Sequence, residues 1–407
     1  MSEDYQKALG RKIAFYRKRR GLSQREFARR IDRSEAWVSQ VERGVRRIDR
    51  MSVLETVAEV LEVPLAELAA EAPLVAATAE EAPGASRLRM VLSAAHSLNA
   101  ILRGQGRADV PALRERVERA WELTHAGRYV DLAEELERLV PDLESAVRAG
   151  DNGERAELFR LLATAYQACS AALAKLGEPE AAWIAADRAI MAGERAGDPL
   201  LMAAGEFRLV IVFLGARYYD QAEHTARTTA EALEPLVEQG RPEAVALWGA
   251  ITLQRAIAAA RRNDADAAYQ YLDRARQAAE RVGPGRNDYN TEFGPANVGL
   301  HEVAVAVDLG DAGMALRRAK SIDVTGLSAE RRARLLIDVA RAHAQRRQPD
   351  EAVAALEQAE ELTPEQVREH KVVHQLVTDL LTIQDPPGPR LQALARRVGV
   401  LPVRTST

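Results

Sequence analysis

Residues 21–44 read GLSQREFARRIDRSEAWVSQVERG, and local signals in this stretch set the architecture of the first part of the chain. Ser23 and Ser34 each stand immediately before an amphipathic run, which is the position of a helix N-cap. Glu26 follows Ser23 by three residues and completes a capping box. The pattern predicts two short helices joined by a tight turn at Asp32, a residue type that tolerates the left-handed conformation.

The charge of the surrounding sequence singles out the same region. Residues 1–50 contain fifteen Lys or Arg against seven Asp or Glu, a net charge of +8, so the other 357 residues carry −12. A basic unit joined to an acidic remainder indicates a polyanionic partner for that unit alone. From Tyr5 to Ala70 we predict several short helices separated by tight breaks.

A set of residues around this stretch has a recognisable arrangement. It comprises Leu9-Gly10-Arg11-Lys12-Ile13, Arg17, Gly21-Leu22-Ser23-Gln24, Phe27-Ala28, Ser34, Val38-Ser39, Glu42-Arg43-Gly44, Leu54, Val57-Ala58, Leu61 and Val63. The arrangement resembles the Xre, or lambda-repressor-like, family of helix-turn-helix proteins. The resemblance implies a five-helix bundle that binds duplex DNA, with a recognition helix from Ser34 to Arg43. It also implies a buried ion pair between Arg17 and Glu42.

A recognition helix in the major groove presents its N-terminal residues to base edges. Its apolar residues Val38 and Val41 must then face the bundle. The resemblance implies base contacts at Glu35, Ala36 and Gln40. Gln40 has the chemistry to pair with adenine, Glu35 to accept from a cytosine amino group and Ala36 to touch a thymine methyl group.

Other residues of this region are expected to contact the DNA backbone. The resemblance places Gln24 at the backbone or the first base, and the nearby arginines are positioned to meet phosphates. Any single arginine could equally be a solvated surface charge. Trp37 could equally pack at the edge of the bundle and shield its core from solvent. The predicted DNA-binding residues are Gln24, Arg25, Ser34, Glu35, Ala36, Trp37, Ser39, Gln40, Arg43, Arg46, Arg47 and Arg50.

The rest of the chain has a helix-forming composition. Ala, Leu, Glu and Arg dominate and aromatic residues make up 5%, which favours helices over strands. Residues 71–87, EAPLVAATAEEAPGASR, show no periodicity and are predicted to be a linker. We therefore predict an all-α protein with a helix-turn-helix domain at 1–70, this linker, a connecting helix at 88–109 and a helical array at 110–400.

A repeated break organises the predicted array. Six times a Gly-, Asn- or Pro-containing break is followed by an alanine about a turn into the next helix. The breaks lie at Gly127, Gly177, Gly215, Asn263, Gly310 and Gln348-Pro349. Small side chains let paired helices approach closely. The pattern resembles tetratricopeptide repeats and predicts a right-handed stack of helical hairpins.

An Xre-like domain followed by such repeats resembles the peptide-sensing regulators of Gram-positive bacteria and a set of actinobacterial regulators. Residues 290–298, NTEFGPANV, look like a segment that recurs in the latter set and break the helical pattern at Gly294-Pro295. We expect a cytoplasmic, homodimeric transcription regulator that binds a palindromic operator and whose array binds a peptide or small-molecule effector. The alternative is an array that acts as a scaffold for a protein antagonist.

Polar residues at the centres of otherwise apolar first helices are the candidate effector contacts, because a buried polar group must find a hydrogen bond. A bond between neighbouring helices is the competing explanation for any one of them. The set is Tyr166, Gln167, Glu206, Arg208, Gln254, Arg255, Asn297 and His301.

The sequence contains no pattern that indicates an enzyme, a metalloprotein or a membrane-spanning protein. No Ser/His/Asp or Cys/His set and no phosphate-binding glycine loop is discernible, so we predict no enzyme and no cofactor. His370 and His374 have a helical spacing that suits a metal but lack a third ligand, so no metal site is predicted. Cys169 is expected to pack as a small apolar side chain. The longest apolar run, residues 209–214, is too short to cross a membrane.

Overall fold

The computed structural model describes residues 3–46, 48, 51–61, 63, 68, 83–93, 98, 109–150, 153–384 and 386–400. The regular elements in these ranges are α-helices and one short 3-10 turn, with no strand among them, which confirms the predicted all-α class. The chain divides into two compact units, one within residues 1–78 and one within residues 79–400.

The first unit is a small bundle built around the predicted turn. Its described helices are α1 (Glu3–Arg19), α2 (Gln24–Arg30), α3 (Glu35–Glu42) and α4 (Met51–Leu61). Their apolar faces meet in a core that includes Ile13, Phe27, Val38, Val41 and Val57. The fifth helix of the predicted bundle falls mostly outside the described residues.

Local signals define the two helices of the motif. The Ser23 hydroxyl accepts from Glu26 N and the Glu26 carboxylate accepts from Ser23 N, so the predicted capping box is confirmed. Ser34 accepts from Trp37 N as the N-cap of α3. Asp32, between the helices, has a φ of 53° and adopts the expected left-handed conformation. Gly10 lets α1 approach α3, because a Cβ there would lie 2.3 Å from Val41 O.

The second unit is an array of antiparallel helical hairpins. Six pairs are described, each with a first and a second helix. They are α6 (Val110–His125) with α7 (Tyr129–Ala149), α8 (Arg155–Lys175) with α9 (Pro179–Arg195), α10 (Pro199–Gly215) with α11 (Tyr219–Glu238), α12 (Pro242–Arg261) with α13 (Ala265–Val282), α14 (Pro295–Asp308) with α15 (Ala312–Ala319), and α16 (Ala329–Gln345) with α17 (Pro349–Leu362). Helix α5 (Pro83–Val91) precedes them, and α18 (Pro364–Glu369), α19 (Lys371–Ile383) and α20 (Pro389–Arg397) follow.

All six predicted breaks separate the two helices of a pair. Each break contains one residue with positive φ, which ends the first helix and turns the chain. It is the predicted Gly127, Gly177, Asn263 or Gly310 in four pairs. In the other two it is Arg217, two residues after Gly215, and Arg347, just before Gln348. The positions of the breaks were predictable from the sequence. In two of them, however, the residue with the left-handed conformation is an arginine and not the predicted glycine or proline.

The predicted linker needs correction. Helix α5 begins at Pro83, inside the predicted linker 71–87, and it ends at Val91. Most of the predicted connecting helix 88–109 lies outside the described residues. Ala85, Leu88 and Val91 are fully buried against α7, since they recur on one helical face. This burial makes α5 part of the array rather than a connection to it.

The array curls back on itself. The first helices of successive pairs contact each other, and α6 of the first pair also contacts α16 of the last. Glu365, on α18, accepts a hydrogen bond from Val130 N at 2.9 Å, and Lys371 Nζ donates to Gly177 O at 2.8 Å. Both ends of the array therefore meet, and the first helices converge on its centre. None of the described helices is long and apolar enough to span a membrane.

Candidate nucleic-acid interface and central cavity

The helix α3 presents the residues predicted to read DNA bases. Val38 and Val41 are buried in the bundle, as the sequence predicted, and this fixes which side of α3 faces outward. Glu35 and Ala36 are exposed at its N-terminal end, and Gln40 is half-buried one turn further on. The exposed face of α3 therefore carries a carboxylate acceptor, an apolar group and an amide, which are kinds of group that can contact base edges in a major groove.

A buried ion pair holds the C-terminal end of α3 against α1. Arg17 Nε and Nη2 donate to the two carboxylate oxygens of Glu42 at 2.5 and 2.9 Å, which confirms the pair implied by the resemblance. The hydrogen bond with Glu42 raises the pKa of Arg17. Gln24 Nε2 also donates to Glu42, at 2.8 Å, so its second N–H and its carbonyl oxygen are the groups left for an outside partner.

The basic residues around α3 are exposed as far as the structure describes them. Arg25, Arg43 and Arg46 lie on the surface, and Arg46 Nη1 approaches Gln40 Oε1 at 3.5 Å. Ser39 is half-buried, and its carbonyl accepts from Arg43 Nε. Arg47 and Arg50 lie outside the described residues. Trp37 is half-buried at the edge of the core, with the Arg33 guanidinium 5.9 Å from its ring centroid.

A second polar site lies in the array, where its first helices converge. It is a cavity of about 60 Å³, large enough for a few water molecules or a small chemical group. Residues of α6, α7, α8, α10 and α16 line it, together with the inserted loop, which we define as residues 288–294. We call it the central cavity.

The central cavity carries an excess of positive charge. Its lining includes four cations but only two carboxylates, and the charged residues are Lys175, Arg208, Arg331, Arg334, Glu292 and Glu330. Burial alone would raise the pKa of Glu330, but the surrounding cations outweigh burial and hold that pKa far below its usual value. Burial lowers the pKa of Arg208 to about 9, with the Arg331 charge adding to the effect. His125 is neutral near pH 7, because burial lowers its pKa.

Several buried polar atoms at the central cavity have no hydrogen-bond partner among the described residues. They are the Tyr129 hydroxyl, Arg208 Nε and His125 Nε2. Tyr129 is 1% exposed, and burial keeps its pKa well above 10, so the hydroxyl remains a donor. Native proteins rarely leave such groups unsatisfied, because each costs about 1–3 kcal/mol.

The inserted loop is held in a strained conformation beside the cavity. Tyr289, Asn290 and Glu292 all have φ between 50° and 55°, a region that costs non-glycine residues energy. Arg208 Nη2 donates to Asn290 O at 2.8 Å, and Arg331 Nε donates to Glu292 Oε2 at 3.2 Å. Cavity cations therefore fix the loop that completes the cavity.

Phe293 anchors the same loop in the core. Its ring lies over α12, where a Cβ at Gly249 would come within 2.1 Å of Phe293 Cζ, so only glycine fits. The segment that breaks the helical pattern therefore contributes both to packing and to the cavity. Phe293 is buried in the core, while Asn290 and Glu292 line the central cavity.

Of the eight predicted effector residues, Arg208 alone lines the central cavity. Three others form a chain beside it. Asn297 Nδ2 holds the inserted loop by donating to Glu292 O at 2.9 Å, and His301 Nδ1 lies 2.9 Å from Asn297 O. Gln254 Nε2 lies 3.2 Å from His301 Nε2.

The other four predicted effector residues lie elsewhere in the array and are not brought together. Tyr166 OH donates to Glu144 at 2.8 Å, and Gln167 Nε2 donates to Leu201 O. Arg255 donates to Glu223 and to the Tyr271 hydroxyl, each at 2.7 Å. Glu206 is half-buried, and burial raises its pKa.

The residues that sequence reasoning missed sit at helix ends and in α16. Lys175 is the last residue of α8, and Glu330, Arg331 and Arg334 lie in the first two turns of α16. The signal available was a basic cluster, ERRAR at 330–334, on a helix that also has to bury apolar residues. A cluster of charged residues on a helix that faces the core indicates a buried polar site. The same cluster on a surface helix indicates only side chains exposed to solvent.

Metal-binding and thiol residues have ordinary surroundings. Among the described residues, no group of three or more His, Cys, Asp or Glu side chains is arranged to hold a metal ion. His370 Nδ1 accepts from Val372 N, and His374 Nε2 contacts Arg368 O. Cys169 is fully buried, which raises the pKa of its thiol to about 12 and confirms its packing role.

Comparisons with known proteins bear on the first unit. Residues 8–70 match a family model described as a helix-turn-helix domain, which confirms that motif at the N-terminus. The crystal structure of Bacillus thuringiensis PlcR in complex with the peptide PapR7 and DNA is 14% identical and covers 68% of this chain and 95% of its own, with a TM-score of 0.28. A comparison with curated proteins finds no matching relative.

Proposed function

We propose that the chain is a cytoplasmic, sequence-specific DNA-binding transcription regulator. The observation that carries the proposal is the exposed face of α3, which the Arg17–Glu42 pair holds rigidly against α1. This face lies in the most basic part of the chain, residues 1–50 with a charge of +8. The helix-turn-helix match over residues 8–70 supports the same function.

In this proposal α3 enters the major groove and its N-terminal half reads the bases. Gln40 pairs with an adenine, while Glu35 and Ala36 contact the neighbouring bases. Phosphates are neutralised by the surrounding arginines, which add affinity but no sequence preference. The phosphate-binding set is Arg25, Arg43 and Arg46, with Arg47 and Arg50 beyond the described residues.

Gln40→Ala is expected to relax discrimination at one operator position by about 1–3 kcal/mol, because one bidentate base contact is lost. The operator is first selected from random duplexes with the wild-type chain. Competition binding to operators substituted at single base pairs then measures discrimination. Arg25→Ala is the matched comparator, expected to weaken all duplexes alike and reduce the salt slope by about one. Unaltered selectivity in the Gln40 variant would contradict the placement of α3.

We further propose that the array forms a homodimer, which presents two helix-turn-helix domains to a palindromic operator. An exposed apolar patch supports this. Trp183 and Ile184 on α9 are 45% and 49% exposed, and Met191, about two turns further along the helix, is also exposed. Trp183 packs edge-on against Phe213 at 4.9 Å. A pre-positioned aromatic residue in an exposed patch is typical of an interface centre.

Trp183→Asp is expected to weaken the dimer by at least about 30-fold, since a central aromatic residue contributes about 2 kcal/mol or more. Sedimentation velocity over a range of concentrations measures the equilibrium. Val324→Asp, at an exposed apolar residue in another part of the array, is the matched control and should leave the dimer intact. A dimer that tolerates Trp183→Asp would exclude the α9 patch as its interface.

The array is proposed to sense a peptide or small molecule, and the unpartnered donors of the central cavity support this role. Mass spectrometry of the chain purified from its source tests it. A retained compound that dissociates on unfolding and alters operator affinity when added back is the expected result. An operator affinity that no retained or added compound changes would contradict sensing.

A further inference from the structure

We propose that the central cavity binds the acid group of a small organic carboxylate, with the apolar part of that ligand packed against Trp121 and Ile211. This inference rests on the proposed sensing function and names the chemical class of the effector.

The charges of the cavity do not balance without a ligand. Glu330 pairs with Lys175, and Glu292 pairs with Arg331 at 3.2 Å. Arg208 and Arg334 remain as cations without a carboxylate partner among the described residues. Arg208 is 5% exposed and Arg334 is half-buried, and a charge withdrawn from water without a counter-charge is costly. One carboxylate between Arg208 and Arg334 would offset that cost.

Arg334 is the clearest sign of a missing anion. Its guanidinium lines the cavity, yet no hydrogen bond or ion pair is found for it within the part of the chain that the structure describes. Asp338, one turn further along α16, is already paired with Arg341 at 2.8 Å. Burial and the Arg331 charge both lower the pKa of Arg334, the reverse of what a bound carboxylate would do.

Two further donors are directed into the same space. Arg208 is 5% exposed, and its Nη2 is used by the inserted loop, while its Nε has no partner. The Tyr129 hydroxyl is equally unpartnered. Arg208, Arg334 and Tyr129 thus supply three donors from three different helices, and two of these donors are charged. A carboxylate in a protein accepts hydrogen bonds from donors of this kind.

The rest of the lining indicates the chemical character of the ligand's remaining part, beyond its acid group. Trp121, Ile211, Ala171 and Ala174 supply apolar surface beside the donors. The volume of about 60 Å³ accommodates the acid group rather than a whole drug-sized molecule. Arg208 stacks over the Trp121 ring at 4.8 Å, so the cation and the apolar wall are adjacent. These features favour an aryl or alkyl carboxylate over an inorganic ion.

Phenylacetate, its neutral analogue phenylacetamide and inorganic phosphate test the proposal on the full-length chain at fixed ionic strength. Phenylacetate at a hundredfold excess over its Kd should raise the unfolding midpoint of the array by about 4 °C. Phenylacetamide should produce no shift, because it lacks the charge. Isothermal titration calorimetry gives the affinities directly, and phosphate should bind at least tenfold more weakly than phenylacetate.

Arg334→Gln is the decisive variant. Since Arg334 has no ion pair to lose, the variant should unfold at the same or a higher temperature without ligand. Its affinity for phenylacetate should fall at least tenfold. A residue that is merely structural would instead lower the midpoint. Arg346→Gln, at an exposed arginine just after the same helix, is the matched control and should bind phenylacetate as the wild type does.

Equal binding of phenylacetate by Arg334→Gln and the wild type would overturn the proposal. So would binding of phenylacetamide as tight as that of phenylacetate, preferential binding of phosphate, or no binding of any probe. Operator binding is measured on the same preparation. A chain that binds phenylacetate but no DNA disproves the regulator function and leaves the cavity assignment standing, whereas the converse disproves the cavity assignment alone.

Discussion

Glu330→Gln is expected to lower the free energy of unfolding of the array by about 3–5 kcal/mol at neutral pH. Glu330 pairs with Lys175 Nζ, accepts from Gln366 Nε2 at 3.3 Å and lies 3.7 Å from Arg331 Nε. Without its charge, Lys175 loses its buried counter-ion. Chemical denaturation of the full chain, followed by helical circular dichroism, measures the loss.

The pH dependence of this loss has a definite sign. The cations hold the pKa of folded Glu330 below its unfolded value of about 4.3. Above pH 4.3 both states are ionised and the stabilisation is complete; as the pH falls further, the unfolded state binds a proton that the folded state does not. The difference in stability between wild type and Glu330→Gln should therefore be constant from pH 7 to about 5 and shrink below 4.3.

Glu361→Gln provides the control, because Glu361 is exposed on the neighbouring helix α17. It should leave the stability within about 0.5 kcal/mol of the wild type. Glu330→Gln should also bind phenylacetate more tightly than the wild type, since it removes a negative charge from the cavity. A stability of Glu330→Gln equal to that of the control would show that the carboxylate charge is not needed to balance the cavity.

The elements that sequence analysis located correctly depend on local signals. The caps at Ser23 and Ser34 and the left-handed Asp32 are specified by residues within one helical turn. The six breaks of the array are specified in the same way. Each needs only a residue that ends a helix and small residues that let the next helix pack. Neither depends on contacts far away in sequence.

Helix α5 and the central cavity depend on distant contacts. The apolar face of α5 is only three positions long, too short to stand out in an Ala- and Pro-rich stretch, and its partner is α7. The cavity exists because α6 meets α16, some two hundred residues later in the chain, when the array curls back. No periodicity in the sequence encodes that closure.

The eight predicted effector residues lie on α8, α10, α12 and α14, and of these helices only α8 and α10 contribute to the lining of the central cavity. The prediction rested on the polar character of residues at helix centres. In the structure, Tyr166 donates its hydrogen bond to Glu144 and Arg255 donates to Glu223, both within the array. Arg208 was distinguished from them only by its surroundings, since Arg334 and Tyr129 converge on it from other helices. Convergence of this kind is a property of the tertiary structure.

Arg17→Ala is expected to unfold the helix-turn-helix unit and abolish DNA binding. Removing Arg17 leaves the Glu42 carboxylate buried with only Gln24 as a donor, a change that costs about 3–5 kcal/mol. A domain of this size has about that much stability in total. Hydrogen exchange of the amides in α1 to α4, measured on the full chain beside the array amides, reports which unit opens.

A double replacement separates folding from recognition. Arg17→Met combined with Glu42→Met removes both charges and fills the site with apolar side chains of similar length, which typically restores or increases stability. In the double variant, the amides of α1 to α4 should again be protected from hydrogen exchange. Gln24 nevertheless loses Glu42 as its hydrogen-bond partner. Operator affinity should then return only in part, because Gln24 is no longer held against α3. Full protection in the single variant would show that the ion pair does not hold α3 in place.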